Sequence, residues 1–266
     1  MPIITSLGVF PGKPLKGEQK YSKLYHYTSL DTFKLIWNNK QLKFGTIANV
    51  NDLNEYSKKI SIPCNFGEEN IQLDELQNRF DNILNIINSY KQISLSMDYD
   101  SYIKGCMSPM MWGHYGDKGK GVCIELDYSK IKFQKGMYYK PVRYVNLIQD
   151  ATNIPPNLTK ISSIESYIKN KISSIYFTKT RDWKGENEFR IISNQFEYLD
   201  ISNAISTVYV TNSFSKTCES VEKIVADIIP VKFLHSISSK GKRLIVLSNT
   251  KKYRDCFNRD LNKPEH

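Results

Sequence analysis

The spacing of apolar and polar positions changes repeatedly along the chain, and each change marks an element. From Lys23 to Tyr27 aromatic and apolar residues alternate with polar ones, which predicts a strand. Ser29 then stands where a helix N-cap belongs, and Leu30, Phe33, Ile36 and Trp37 follow at helical spacing. A short strand is expected over Leu42 to Thr46. Asn49-Val50-Asn51-Asp52 reads as a turn and cap before a helical segment at Asn54 to Ser57. Leu73, Leu76, Phe80, Ile83, Leu84 and Ile87 predict an amphipathic helix over 73–89, with acidic residues near its start.

Ile93 to Met97 and Gly121 to Leu126 read as strands that bracket a loop and helix from Pro109 to Tyr115, and Val142 to Val145 reads as another strand. Ile164, Tyr167, Ile168, Ile172, Ile175 and Tyr176 predict a helix over 161–177, and Phe189 to Ile192 a strand after Trp183. Later strands are expected at Thr207 to Val210, Lys223 to Ala226 and Arg243 to Leu247, with a helix over Ser215 to Glu222. His235 falls in an expected loop near Lys232 and Lys240.

These elements do not alternate as a doubly wound parallel sheet requires, and no glycine-rich phosphate turn follows the first strand. The expected fold class is α+β, with a mixed, largely antiparallel, split sheet and flanking helices. Neither a repeat nor a long Pro/Gly/Ser linker interrupts the pattern, so residues 1–266 read as a single domain. Its chemistry lies in about residues 23–193, and 194–250 complete the sheet.

Composition narrows the setting. The opening Met1-Pro2-Ile3-Ile4-Thr5-Ser6 lacks a signal-peptide core, and no uncharged stretch approaches the ~18 residues of a membrane span, so a cytoplasmic protein away from membranes is expected. The cysteines, Cys64, Cys106, Cys123, Cys218 and Cys256, are scattered without metal or redox spacing and are expected to be reduced and mostly buried. A net charge of +10 and a pI near 9.2 admit an anionic partner, although the basic residues form no long run.

Four clusters carry side chains suited to chemistry. Leu24-Tyr25-His26-Tyr27-Thr28 sets a histidine and a hydroxyl beside aromatic faces that suit a planar ring; packed inward, the same residues are ordinary core. Asn51-Asp52-Leu53-Asn54-Glu55 places two acids one helical turn apart, as ligands or as a helix cap. Met110-Met111-Trp112-Gly113-His114-Tyr115-Gly116 is aromatic and is followed by Asp117-Lys118-Gly119-Lys120-Gly121, a turn that lacks the Walker pattern and precedes a strand. Arg181-Asp182-Trp183-Lys184-Gly185-Glu186-Asn187-Glu188-Phe189-Arg190 sets two carboxylates at i and i+2, which in extended chain point the same way, with Arg190 continuing that face. Such a pair serves proton transfer or stabilises a cationic transition state at a cleft, or forms a salt-bridged strand edge. No metal spacing, nucleophile elbow or kinase set is present, so a metal-free site is expected.

In this order the clusters resemble a bacterial family catalogued as domain of unknown function 2971, through His26-Tyr27-Thr28, Asn51-Asp52 with Glu55, Met111-Trp112 with His114-Tyr115, Gly121-Val122 with Glu125, and Trp183, Glu186, Glu188 and Arg190. The layout also looks like an ADP-ribosyltransferase. That resemblance implies NAD as substrate, His26 and Tyr27 with Thr28 gripping the dinucleotide, Glu188 stabilising an oxocarbenium-like ribose, and Glu186 preparing the acceptor. Tyr115, Asp52 and Arg190 are further binding candidates, and Tyr27 and Tyr115 are the candidates to stack on nicotinamide. The chain departs from that superfamily in lacking a clear Ser-Thr-Ser middle motif.

The resemblance implies modification of a nucleic acid or protein in a bacterial toxin or anti-phage defence setting, or plain glycohydrolysis of NAD. Two other classes compete. One is a binding module that holds a nucleotide or nucleic acid without turnover. The other is a carboxylate-pair hydrolase using Glu186 and Glu188 or Asp52, which needs carboxyls about 5–9 Å apart across a cleft.

Overall fold

A computed structural model describes residues 22–46, 73–100, 102–146, 160–239 and 242–253. The expected turn at Asn49 to Asp52, the Asn51-to-Glu55 cluster and the segment at 54–57 lie outside them, as do Cys64 and Cys256. In chain order the elements are β1 (Lys23–Thr28), α1 (Leu30–Asn39), β2 (Gln41–Lys43), β3 (Gly45–Thr46), α2 (Leu73–Ser89), β4 (Lys91–Met97), α3 (Pro109–His114), β5 (Val122–Asp127), β6 (Tyr138–Pro141), β7 (Arg143–Val145), α4 (Ile161–Tyr176), β8 (Thr178–Thr180), β9 (Glu188–Ser193), β10 (Tyr198–Asp200), β11 (Ile205–Val210), α5 (Lys216–Val225), β12 (Val231–Ser239) and β13 (Lys242–Asn249). The fold class is α+β, with mixed, mostly antiparallel strand pairing and flanking helices. Among the described residues no helix is long and apolar enough to cross a membrane.

Two compact units divide the described residues. The first draws on Lys43–Ser94 and Phe133–Leu199, the second on Lys20–Leu42, Leu95–Lys132 and Asp200–His266.

In the first unit β6 pairs antiparallel with β9 and β7 pairs parallel with β8. The helical spacing read in the sequence is what builds its core. Ile164, Ile168, Ile172 and Ile175 form one ridge of α4, which packs with Ile83 and Ile87 of α2 and with Tyr90, Tyr138, Tyr176, Phe177 and Ile192. Each such fully buried side chain contributes about 1.5–3 kcal/mol from apolar area alone. Tyr176 donates its hydroxyl to the Ile87 carbonyl at 2.8 Å, so the buried polar tip is satisfied where α2 ends.

In the second unit β5 lies antiparallel to β1 and to β11, β11 runs parallel to β12 through the α5 crossover, and β13 closes the edge antiparallel to β12. Ser29 caps α1 as its position suggested: its hydroxyl accepts from the Thr32 N–H at 3.2 Å, and Phe33, Ile36 and Trp37 are buried. The strand expected at 223–226 is instead the last turn of α5 and its left-handed cap at Ala226, because Cys218, Val221 and Val225 continue one apolar helical face. The loop expected around His235 is the middle of β12, paired with β13 at Val246.

Gly121 precedes β5, and its role is steric. A methyl group built there would lie 2.2 Å from the Thr28 carbonyl oxygen and 2.9 Å from the Gly116 carbonyl, backbone atoms that a rotamer change cannot move. Gly121→Ala is therefore expected to destabilise the protein by about 1–3 kcal/mol, read from urea unfolding; an unchanged midpoint would show that this approach is looser than drawn.

Candidate functional site

The Trp183-to-Arg190 cluster folds in the first unit around a lysine that the sequence does not single out. Arg181–Glu186 is a 3-10 turn, Asn187 is left-handed (φ 45°, ψ 54°), and Glu188 opens β9. Glu186 and Glu188 are thus not two positions of one extended strand, as their spacing suggested. The left-handed step, which asparagine tolerates better than most residues, turns the chain so that both carboxylates still converge. Lys179 of β8 places its ammonium 2.6 Å from Glu186 Oε2 and 3.0 Å from Glu188 Oε2. The same ammonium lies 5.4 Å from the centre of the Trp183 ring.

Arg190 is wholly buried, and its guanidinium donates to Glu188 and to a backbone carbonyl in the same unit. Nε and Nη2 donate to the two oxygens of Glu188, each at 2.8 Å, and Nη1 donates to the Tyr176 carbonyl at 2.6 Å. The fork matches the carboxylate edge, the geometry in which arginine binds most strongly. The Glu188 N–H donates to the Tyr144 hydroxyl at 2.9 Å. Burial alone would raise the Glu188 carboxyl, but the charges of Arg190 and Lys179, with hydrogen bonds from Arg190 and Ser94, outweigh it and hold the group far below the usual carboxylate range. Burial, then the Glu188 charge, keeps Tyr144 protonated by raising its phenol well above its ordinary value.

The His26 and Trp112 clusters fold in the second unit. Side chains alternate along β1, so Tyr25 and Tyr27 face one way and Leu24, His26 and Thr28 the other. Tyr27 donates to the Gly105 carbonyl at 2.6 Å and meets the Trp112 ring edge-on, with centroids 5.1 Å apart at 86°. Trp112 in turn donates Nε1 to the Cys106 carbonyl at 2.8 Å. Both rings, with Tyr25, Met111, Cys123 and Tyr209, belong to one buried cluster. His26 is half-buried and Thr28 buried. His114, at the exposed end of α3, stands 6.2 Å from the half-buried Tyr115 ring.

Sequence reasoning named the acidic cluster but missed Lys179 and Tyr144, which complete it. It also left Glu125 as a motif position without a role. Glu125 is a carboxylate set between Ile124 and Leu126 in a largely apolar strand, and that was the available signal. It accepts from Ser206 Oγ and the Tyr209 hydroxyl, both at 2.6 Å, and lies 3.6 Å from Lys23 Nζ. The described cysteines, Cys106, Cys123 and Cys218, are buried; burial, aided by the Glu125 charge, pushes the Cys106 thiol up to about 12, which makes it a poor nucleophile. Among the described residues no three His, Cys, Asp or Glu side chains group as metal ligands.

No curated protein matches the chain. Among solved structures, the Thermus sp. 2.9 DarT in complex with ADP-ribosylated ssDNA is similar at 10% identity, over 79% of this chain and 91% of that one, with a TM-score of 0.34. Residues 111–191, from the Trp112 helix through the Glu188 strand, match the family model described as Protein of unknown function (DUF2971), the family that the four motifs resemble.

Proposed function

We propose that this chain is an NAD-dependent, ADP-ribosyltransferase-like enzyme that modifies a macromolecule. The observation that carries the reading is the setting of Glu188: Arg190 and Lys179 keep its carboxyl ionised at any physiological pH. A fixed negative charge is what opposes the positive charge that grows on ribose as nicotinamide leaves. In this reading Arg190 orients Glu188, and Glu186, paired to the same lysine, prepares the acceptor. The resemblance to ADP-ribosyltransferases implies dinucleotide contacts from His26, Tyr27, Thr28, Tyr115 and Asp52, each to be tested by its own substitution. A net charge of +10 and 17 tyrosines favour a nucleic acid as acceptor, with protein the alternative. The proposed setting is the bacterial cytoplasm, in a toxin or anti-phage role.

The test is nicotinamide release from NAD by purified protein, alone and with DNA, RNA or cell extract. Release is expected, and Glu188→Gln should reduce it by at least about 100-fold while circular dichroism stays native. Labelled acceptor then separates transfer from glycohydrolysis. No release from folded protein under any condition overturns the proposal.

One observation favours a second reading. Glu188 is only 2% exposed and both of its oxygens are already engaged, which equally describes a structural ion network inside a non-catalytic nucleotide or nucleic-acid binding module. Binding that weakens steeply with salt and yields no product would select it.

A further inference from the structure

The second unit contains a cleft of about 460 Å³ to which the proposed transferase chemistry assigns nothing. Its size falls in the range of small-molecule pockets, roughly 300–1,000 Å³. One part of the wall is apolar, from Met107, Pro109, Trp112 and Leu234. Because Trp112 Nε1 is bonded to the Cys106 carbonyl, the ring has no polar need of its own left to satisfy in the cleft. Gly113 leaves the wall open: a methyl group built there meets nothing within 4 Å. The polar part comes from Lys118, Thr211 and His235. His235 is held in place by Ser248 Oγ at 2.8 Å and by stacking on Phe233 at 5.0 Å and 22°.

Asp117, Lys118 and Gly119 run consecutively through the left-handed region, with φ of 49°, 53° and 81°. The turn is closed by Gly119 N–H to the Gly116 carbonyl at 3.0 Å and Lys120 N–H to the Asp117 carbonyl at 2.9 Å. Neither bond uses the Lys118 side chain, and glycine would hold that conformation with less strain. A lysine kept there at a conformational cost, on the edge of an apolar cleft, points to work done by its ammonium.

We infer that this cleft binds a small planar aromatic ring carrying one anionic group, the ring against Met107, Leu234 and the small exposed part of Trp112, and the anion toward Lys118 and His235. Sulfur and apolar side chains suit a flat ring, and an exposed ammonium at the rim of the cleft suits a carboxylate or phosphate. The site stands apart from the transferase reading, because its test is binding and not turnover.

The test is calorimetric titration of the full chain with 2-naphthoate, 1-naphthyl phosphate, adenosine monophosphate and the neutral 2-naphthylmethanol. The naphthyl anions are expected to bind, and the neutral analogue to bind at least about fivefold more weakly. The preference between carboxylate and the two phosphates identifies the anion that the site takes. Lys118→Gly should weaken the anions about fivefold without lowering Tm, since glycine suits the turn. Gly113→Leu should fill the cleft and abolish binding; should that variant fail to fold, Lys118→Gly carries the test. No binding at millimolar ligand, equal binding of the neutral analogue, or affinity unchanged in Lys118→Gly overturns the inference.

Discussion

Replacing Arg190 by methionine is expected to cost about 3–5 kcal/mol of folding free energy, seen as a lowered urea midpoint at pH 7. The guanidinium is 0% exposed and donates to both Glu188 oxygens and to the Tyr176 carbonyl. Methionine fills much of the volume but leaves Glu188 buried with Lys179 as its remaining charged partner among the described residues, shared with Glu186. The penalty is that of an undercompensated buried charge, far above the ~1 kcal/mol ceiling of an exposed pair. Glu188→Leu combined with Arg190→Met should recover much of the loss, because replacing both members removes the unpaired charge. If the double variant is as unstable as the single one, the network is held by packing and not by charge.

The same cluster fixes a pH dependence. Glu188 has a folded pKa below its unfolded value of about 4.3, so its contribution is complete above that value and is lost as pH falls below it. Wild type should therefore lose more stability than Glu188→Gln between neutral pH and about pH 3. Parallel acid profiles would contradict the ion-paired state described for this carboxylate.

Local spacing made much of this legible in advance. The helices α2 and α4 and the Ser29 cap could be read because each rests on contacts within one or two turns of the same segment. The error at 223–226 has the same root: Ile224-Val225-Ala226 is too short an apolar run to separate strand from helix, and the deciding residues, Cys218 and Val221, lie upstream. Strand β12 was missed because its parallel partner β11 lies across a helix, and Lys232 and His235 obscure its apolar face. Among site residues, Glu186, Glu188, Trp183 and Arg190 stood out as a cluster in sequence. Lys179, which joins three of them, did not, since nothing local marks a lysine in a three-residue strand as buried. In β1 the period-two rule separates His26 from Tyr27, a constraint that was present in the sequence and bears on which of them a single ligand can meet.

Trp112 is where packing and recognition can be told apart. Trp112→Ala is expected to cost about 3–5 kcal/mol, because it removes a ring that is 4% exposed and leaves a cavity beside Tyr27. It also strips the Cys106 carbonyl of its indole donor, a further part of that loss. Trp112→Phe keeps an aromatic face against Tyr27 and in the cleft wall while deleting the hydrogen bond, so it should cost only about 1–2 kcal/mol. Urea unfolding measures both, and near-ultraviolet circular dichroism follows the Tyr27 environment. The two variants then bear differently on ligand: a phenyl ring keeps the apolar wall filled beneath Met107 and Leu234, so 2-naphthoate affinity should be largely retained in Trp112→Phe. If Trp112→Phe folds well yet loses the naphthyl anions entirely, the indole edge and not its face meets the ligand, and the tie to Cys106 must be exchanged on binding.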